Sequence, residues 1–465
     1  MPVGVTAFDY GGRAARGCDM RAFIQDSSTS IRRRKAHPPG WLAALAAAVL
    51  LATLTTSTAT AATGATAAGD DPTVISDWNQ IAVTTLLGDP TKQLVEDILY
   101  VAFVHAAVYD AVVGVEGRYA PYHFHAHAPH GTSAQAAAVA AAHKVLVTYV
   151  PSAQASLDAA YAASLAQIPD GRAKSRGIAF GTRAAENLIR LRADDGRNAP
   201  IQFTRPPAPG VWRPTPPGFL LMSAPWLGFM RPLLVRSATQ FAPPAPPALT
   251  SARYTRDFEE VKALGASTST VRTAAQTDTA LFFSGNALVQ YNTALRDQVT
   301  VRHLGIVDAA RLFAAIDMSV ADAEISVWYA TYVYGFWRPI TAINLADTDG
   351  NPATVADPNW TPLLTNPAYP EYPSGYNVFN STVTHGLEDL FQTRHLRLTF
   401  VSTAVPGVQR HYDSGRAARR DVVDARVWLG IHFRFADTAA RDMGRRLTDW
   451  TLDHYFQPVH EHKEH

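Results

Sequence analysis

The chain of 465 residues has one cysteine, Cys18, and no excess of either charge, with 41 basic residues against 40 acidic ones. A lone thiol excludes a disulfide framework and a thiolate metal cluster. The balanced charge gives no footprint for nucleic acid or an anionic membrane surface. Long apolar runs are also lacking near the N-terminus, where the uncharged stretch Trp41–Leu54 falls short of the roughly 20 residues that span a bilayer. Strand-type alternation is confined to a short stretch around Leu396–Val401.

Hydrophobic residues make up 47% of the chain, which is enough to bury a large core in one large domain or two medium ones. Seventeen tyrosines, twenty phenylalanines and nine tryptophans argue against disorder over most of its length. The N-terminus reads as a targeting segment. Arg32, Arg33, Arg34 and Lys35 precede the Trp41–Leu54 run, and Ala59-Thr60-Ala61 follows as a small-x-small cleavage site. Export is therefore expected by the Sec or twin-arginine route, with Met20 an alternative start. Cys18 lies in that segment, so the mature chain would carry no thiol.

From Val74 onward the apolar period is helical. Helices are expected at Gln93–Val113, Ser133–Tyr149, Ser156–Ile168, Ile178–Arg192, Ser251–Leu264, Val271–Phe283, Leu288–Val301, Ile306–Tyr334 and Ser374–Leu390. One last long helix is expected over Ala417–Tyr455. Thirteen prolines crowd Pro200–Pro247, which excludes helix interiors there and implies an extended connection. Its Trp212, Phe219, Trp226 and Phe229 imply that it packs on the body, either lining a pocket or wrapping the surface. The expected fold is all-α, two helical bundles joined by the Pro-rich connection. The expected boundaries are a targeting segment at 1–61, a flexible tail at 62–73, an N-terminal helical part at 74–198, the connection at 199–250 and a C-terminal bundle at 251–460.

Three short stretches carry chemistry. In Phe336-Trp337-Arg338-Pro339 an arginine stands at the end of a long helix, with proline closing it. In Tyr372-Pro373-Ser374-Gly375-Tyr376 a loop enters an apolar helical run, so a serine hydroxyl, free backbone N–H groups and the helix dipole all favour an anion. In Asp424-Ala425-Arg426 to Ile431-His432 an arginine and a histidine six apart can face one cavity if the helix ends near Gly430. Taken singly, an arginine is more often a surface group, a helix-end histidine more often structural, and Pro-Ser-Gly ordinary turn chemistry.

Together, in this order, the stretches resemble the vanadium-dependent haloperoxidases and the related type 2 phosphatidic acid phosphatases. That pattern runs Lys, six residues, Arg-Pro; then Pro-Ser-Gly-His; then Ser-Arg, five residues, His. Trp78-Asn79, the His105–Asp110 run, Arg118-Tyr119 and Asp347–Pro352 are similar to the bacterial branch. The resemblance implies that Arg338, Arg426, Ser374 and the Gly375 N–H cradle a tetrahedral oxyanion. It implies that His432 ligates vanadium, or attacks phosphorus in a phosphatase. The implied cofactor is vanadate, with phosphate in its place or the metal lost. The implied partners are hydrogen peroxide, a halide and a small organic molecule, with no nucleic acid; the oligomeric state is open, a homodimer included. Three positions depart from the pattern: Thr331 stands at the lysine, Tyr376 at the acid–base histidine and Ala425 at the serine. Tyrosine is a poor general base at neutral pH, and the missing lysine removes a cation from the anion site. The leading expectation is peroxide-dependent halide oxidation with Tyr376 and His432 at the reacting centre. The alternatives are a vanadium-independent isomerase on the same scaffold, an acid phosphatase and a non-catalytic binding module. His385 lies too far along its helix from Tyr376 to replace a histidine there; His411 could approach from another loop but reads more as a surface group, and Glu371 reads as a cap more than as a proton donor.

Overall fold

The computed structural model describes residues 71–459, so the targeting segment, Cys18 and most of the expected tail lie outside it. Thirteen α-helices occur among the described residues. The first five are α1 (Thr73–Leu87), α2 (Leu94–Glu116), α3 (Ala134–Tyr149), α4 (Gln154–Ala166) and α5 (Arg172–Leu191). After the Pro-rich connection come α6 (Ala252–Leu264), α7 (Ala274–Phe282), α8 (Ala287–Val301), α9 (Ile306–Tyr334) and α10 (Pro339–Asn344). The chain ends with α11 (Gly375–Leu390), α12 (Gly415–Trp428) and α13 (Arg434–His454). Strands β1 (Leu398–Val401) and β2 (Gln409–Tyr412) form one antiparallel hairpin, Leu398 opposite Tyr412.

Local chemistry sets these elements. Ser133, Ser251, Thr273, Asn286 and Ser414 each accept the N3 amide of the helix they open. Gln93 and Glu96 form a capping box on α2. The alanine-rich faces let α3 and α5 approach closely: a Cβ on Gly181 would stand 2.0 Å from the Ala137 carbonyl oxygen. Helix α2 is long and apolar enough to cross a membrane by composition, but nearly all of it is buried within the protein. That is how a core helix reads.

Helix α9 is the shared element. It packs against α2 on one side and against α11 and α13 on the other. Along its length it buries apolar residues together with Asp317, Asp322, Glu324 and Thr331. Asp322 receives the N–H groups of Leu233, Leu234 and Val235 at 2.6, 2.6 and 2.8 Å, which pins the Pro-rich connection to the core. Arg205 donates to the carbonyls of Val333 and Tyr334, closing the C-terminus of α9. The connection thus packs on the body, as its aromatics imply, and its Leu220–Ser223 stretch lines a cavity.

One expected element is divided. The helix anticipated over Ala417–Tyr455 is broken between Trp428 and Arg434. Gly430 takes φ +77, a conformation side-chain-bearing residues avoid. A Cβ there would also meet the Gly265 carbonyl oxygen at 2.4 Å. The five-residue break carries His432 out of the helical path and places its ring between Arg338 and Glu371.

Candidate oxyanion site

The site gathers four chain segments. Arg338 is the N-cap of α10, in extended conformation, with Pro339 at the first helical position. Ser374 is the N-cap of α11, and its side chain makes no capping bond. Arg426 lies in the last turn of α12, and His432 lies in the break before α13. Arg338, Ser374 and His432 are fully buried, and Arg426 nearly so.

Their geometry is convergent. Arg338 Nη1 stands 3.3 Å from His432 Nε2 and donates to the Ile431 carbonyl at 2.9 Å. Its Nε donates to the Tyr369 carbonyl at 2.9 Å, and its plane lies 4.3 Å from the Tyr369 ring centroid. Arg426 Nη1 donates to the Phe283 carbonyl at 3.2 Å, and the guanidinium lies 4.6 Å from the Tyr376 ring centroid. Arg338 Nη2 and Arg426 Nε are buried without a partner. Ser374 Oγ makes no hydrogen bond of ordinary geometry, although it is near enough to Asp437 to help hold that carboxyl down.

The electrostatics favour an anion. Burial pushes Glu371 well up and Asp437 to about 7, so neither carboxyl is a firm counter-charge. Burial, then the charges of Arg338 and Arg426, push His432 well below the usual histidine range. The imidazole is neutral at physiological pH. Its Nδ1 faces Glu371 Oε1 at 3.1 Å, which leaves Nε2 as the acceptor aimed at Arg338. Guanidinium groups keep their charge when buried, so two cations remain with unspent donors. Orphaned donors on two arginines, a free serine hydroxyl and an uncapped helix start fit a tetrahedral oxyanion.

The departures from the family pattern also have structural readings. Thr331 is buried, and its hydroxyl donates to the Trp328 carbonyl at 3.0 Å, within its own helix. Tyr376 Oη donates to Gln290 Oε1 at 2.6 Å, tying α11 to α8. Burial raises the phenol further above its ordinary value. Glu371 caps neither α11 nor the first turn of α13: its Oε1 accepts the N–H of Phe433, the residue before α13, at 2.7 Å while also facing His432. His385 pairs with Glu388, and His411 is exposed beside Thr399, so neither joins the site.

Sequence reasoning missed Tyr369, Asp437 and Glu324. Asp437 accepts from Asn377 Nδ2 at 2.7 Å, and its place in the first turn after His432 was an available signal. Glu324 lines a cavity of about 890 Å³ that opens toward Gly375, Tyr376 and Arg426. The rest of the wall is mainly apolar, with Leu94, Ile98, Leu221, Met222 and Phe379 among its side chains.

Comparison with known proteins bears on the fold and on the second half of the chain. Residues 311–461 match the family model described as the VCPO second helical-bundle domain. The vanadium chloroperoxidase of Curvularia inaequalis is 29% identical over a stretch that covers 29% of this chain and 29% of that protein. The matched stretch is thus under a third of the relative's length. A solved bacterial vanadium-dependent iodoperoxidase superposes with a TM-score of 0.73 at 22% identity, covering 84% of this chain and 98% of that one. A solved bacterial vanadium-dependent chloroperoxidase superposes with a TM-score of 0.66 at 17% identity, covering 83% and 97%. Residues 311–461 thus match the second helical-bundle domain of that family model, and the fold of the chain is that of the solved bacterial vanadium-dependent haloperoxidases.

Proposed function

We propose that the protein is an exported haloperoxidase-type enzyme that holds vanadate at the Arg338–Arg426–Ser374–Gly375 cradle and oxidises a halide with hydrogen peroxide. The observation that carries this reading is the unspent donor pair Arg338 Nη2 and Arg426 Nε, both buried, beside the Ser374 hydroxyl and a neutral imidazole. Bound vanadate would supply a Lewis-acidic centre that activates peroxide toward halide without changing oxidation state.

The protein's own groups have distinct tasks. The two guanidinium groups neutralise the anion and fix its orientation. Ser374 Oγ and the first-turn amides of α11 would take the remaining oxygens. Glu371 holds the His432 ring so that Nε2 points inward, where it would serve as the metal ligand. The apolar cavity beside the cradle would admit a small organic molecule and limit water.

The test is bromination of a phenol dye by the purified mature protein with orthovanadate, peroxide and bromide. Turnover that disappears with His432→Ala is expected. Turnover in wild type that survives His432→Ala, or no turnover in wild type at all, would remove the reading. A second reading, vanadium-independent isomerisation in the same cavity, is favoured by Thr331 and Tyr376 at the family's lysine and histidine positions and by the uncommitted carboxyl of Glu324. It would be supported by loss of a metabolite-isomerising activity in Glu324→Gln with no dependence on vanadate.

A further inference from the structure

Glu324 is the most unusual group in the cavity wall. It lies on α9, only 4% exposed, and its Oε2 has no hydrogen-bond partner. It stands beside the helix start that cradles the anion: a Cβ built on Gly375 would lie 3.4 Å from Glu324 Oε2, 3.3 Å from the Trp328 ring and 3.4 Å from Tyr369 Oη. The space over Gly375 is therefore walled by this carboxyl and two aromatic side chains.

Two features decide what the carboxyl does there. No cation or N–H group is bonded to its Oε2, so that oxygen of a carboxylate would be buried without compensation. A carboxylate would also repel the anion that the neighbouring guanidinium groups attract. As a carboxylic acid it carries one O–H donor, which at Oε2 has no hydrogen-bond partner within the protein. Two neighbouring donors are already spent: Tyr376 Oη on Gln290, and Trp328 Nε1 on the Ser223 carbonyl at 2.9 Å. The tyrosine at the family's acid–base position thus has its proton committed to Gln290, whereas the Glu324 Oε2 on α9 is bonded to nothing. Burial pushes the Glu324 carboxyl well up, in agreement with the geometry.

We propose that Glu324 is an additional binding residue of the oxyanion site, its carboxyl O–H donating a hydrogen bond to the oxyanion oxygen that lies against Gly375. This rests on the oxyanion reading above and adds a donor the family pattern does not contain. It makes up in part for the cation missing at Thr331, because an O–H to anion bond is charge-assisted and short.

The test exploits a difference of sign. Inorganic phosphate and orthovanadate are titrated calorimetrically into wild type, Glu324→Leu and Glu324→Gln, with the melting curve of each recorded to establish folding. A donor predicts that Glu324→Leu weakens both anions by about tenfold or more, while Glu324→Gln, whose amide N–H still donates, stays within about threefold. A charged Glu324 predicts the reverse, with both variants binding more tightly; that result, or unchanged binding in Glu324→Leu, overturns the proposal and leaves the cradle intact. If wild type binds neither anion, the oxyanion reading fails and takes this one with it. Should Glu324→Leu not fold, the infrared carbonyl band of a protonated carboxyl decides. It should shift when phosphate binds wild type and be missing from Glu324→Gln; a phosphate-loaded wild type without such a shift would refute the role.

Discussion

Arg338 Nη1 faces His432 Nε2 at 3.3 Å, while the opposite ring nitrogen faces Glu371 Oε1 at 3.1 Å. The imidazole is thus gripped from both sides by buried groups of opposite tendency. Glu371 carries two duties, since the same oxygen accepts the Phe433 N–H at the start of α13. Glu371→Ala should lower stability by about 1–3 kcal/mol, because it strands a buried N–H and frees the ring. Glu371→Gln keeps an acceptor and should cost less. Urea denaturation of the three proteins checks the order; equal stability of wild type and Glu371→Ala would contradict it.

Tyr376 is expected to be a support for Arg426 and not a proton-transfer group. Its hydroxyl is bonded to Gln290 and its ring lies under the guanidinium. Tyr376→Phe should cost about 1 kcal/mol of stability yet leave vanadate affinity within a few-fold, since the ring remains. Tyr376→Ala should lose affinity as Arg426 is released. A dye-bromination rate abolished in Tyr376→Phe, with affinity retained, would instead make the phenol catalytic.

Much of this was legible in the chain. The thirteen prolines of Pro200–Pro247 announced an extended connection, and the apolar period gave α9 the bounds the structure has, Ile306–Tyr334. Arg338, Ser374, Gly375, Arg426 and His432 could be named as a group because the family spacing joins them. The break between α12 and α13 was legible only as a conditional helix end near Gly430, because helical periodicity continues across it and one glycine with positive φ decides it. Glu324 was hidden for a different reason. Between Asp322 and Trp328 it reads as part of a solvated charged face, and only the packing of α9 against α2 and α11 shows that the face is inside.

A second buried polar group lies away from the site. Asn79 Nδ2 contacts His105 Nε2 at 3.0 Å, and Asp317 stands 3.7 Å from the same nitrogen. Burial raises Asp317 to about 8 and lowers His105 to about 3. The folded state therefore keeps the Asp317 proton that the unfolded chain releases between about pH 4 and 8, so this group costs stability as pH rises through that window. The depressed His105 works oppositely between pH 3 and 6.5, and its effect is common to both proteins compared. Asp317→Asn should gain on wild type by up to about 1.4 kcal/mol per pH unit across the window. Melting curves at pH 5 and pH 8 check this; a difference that does not grow with pH would contradict it.

In the proposed function two buried guanidinium groups, a serine at a helix start and one imidazole form a single oxyanion cradle. Calorimetric titration of the mature protein with orthovanadate, in wild type and Arg426→Met, tests it most directly. The account predicts saturable one-to-one binding, displaced by phosphate and weakened at least tenfold by the substitution. Absence of binding in wild type, or equal affinity in both proteins, would contradict it.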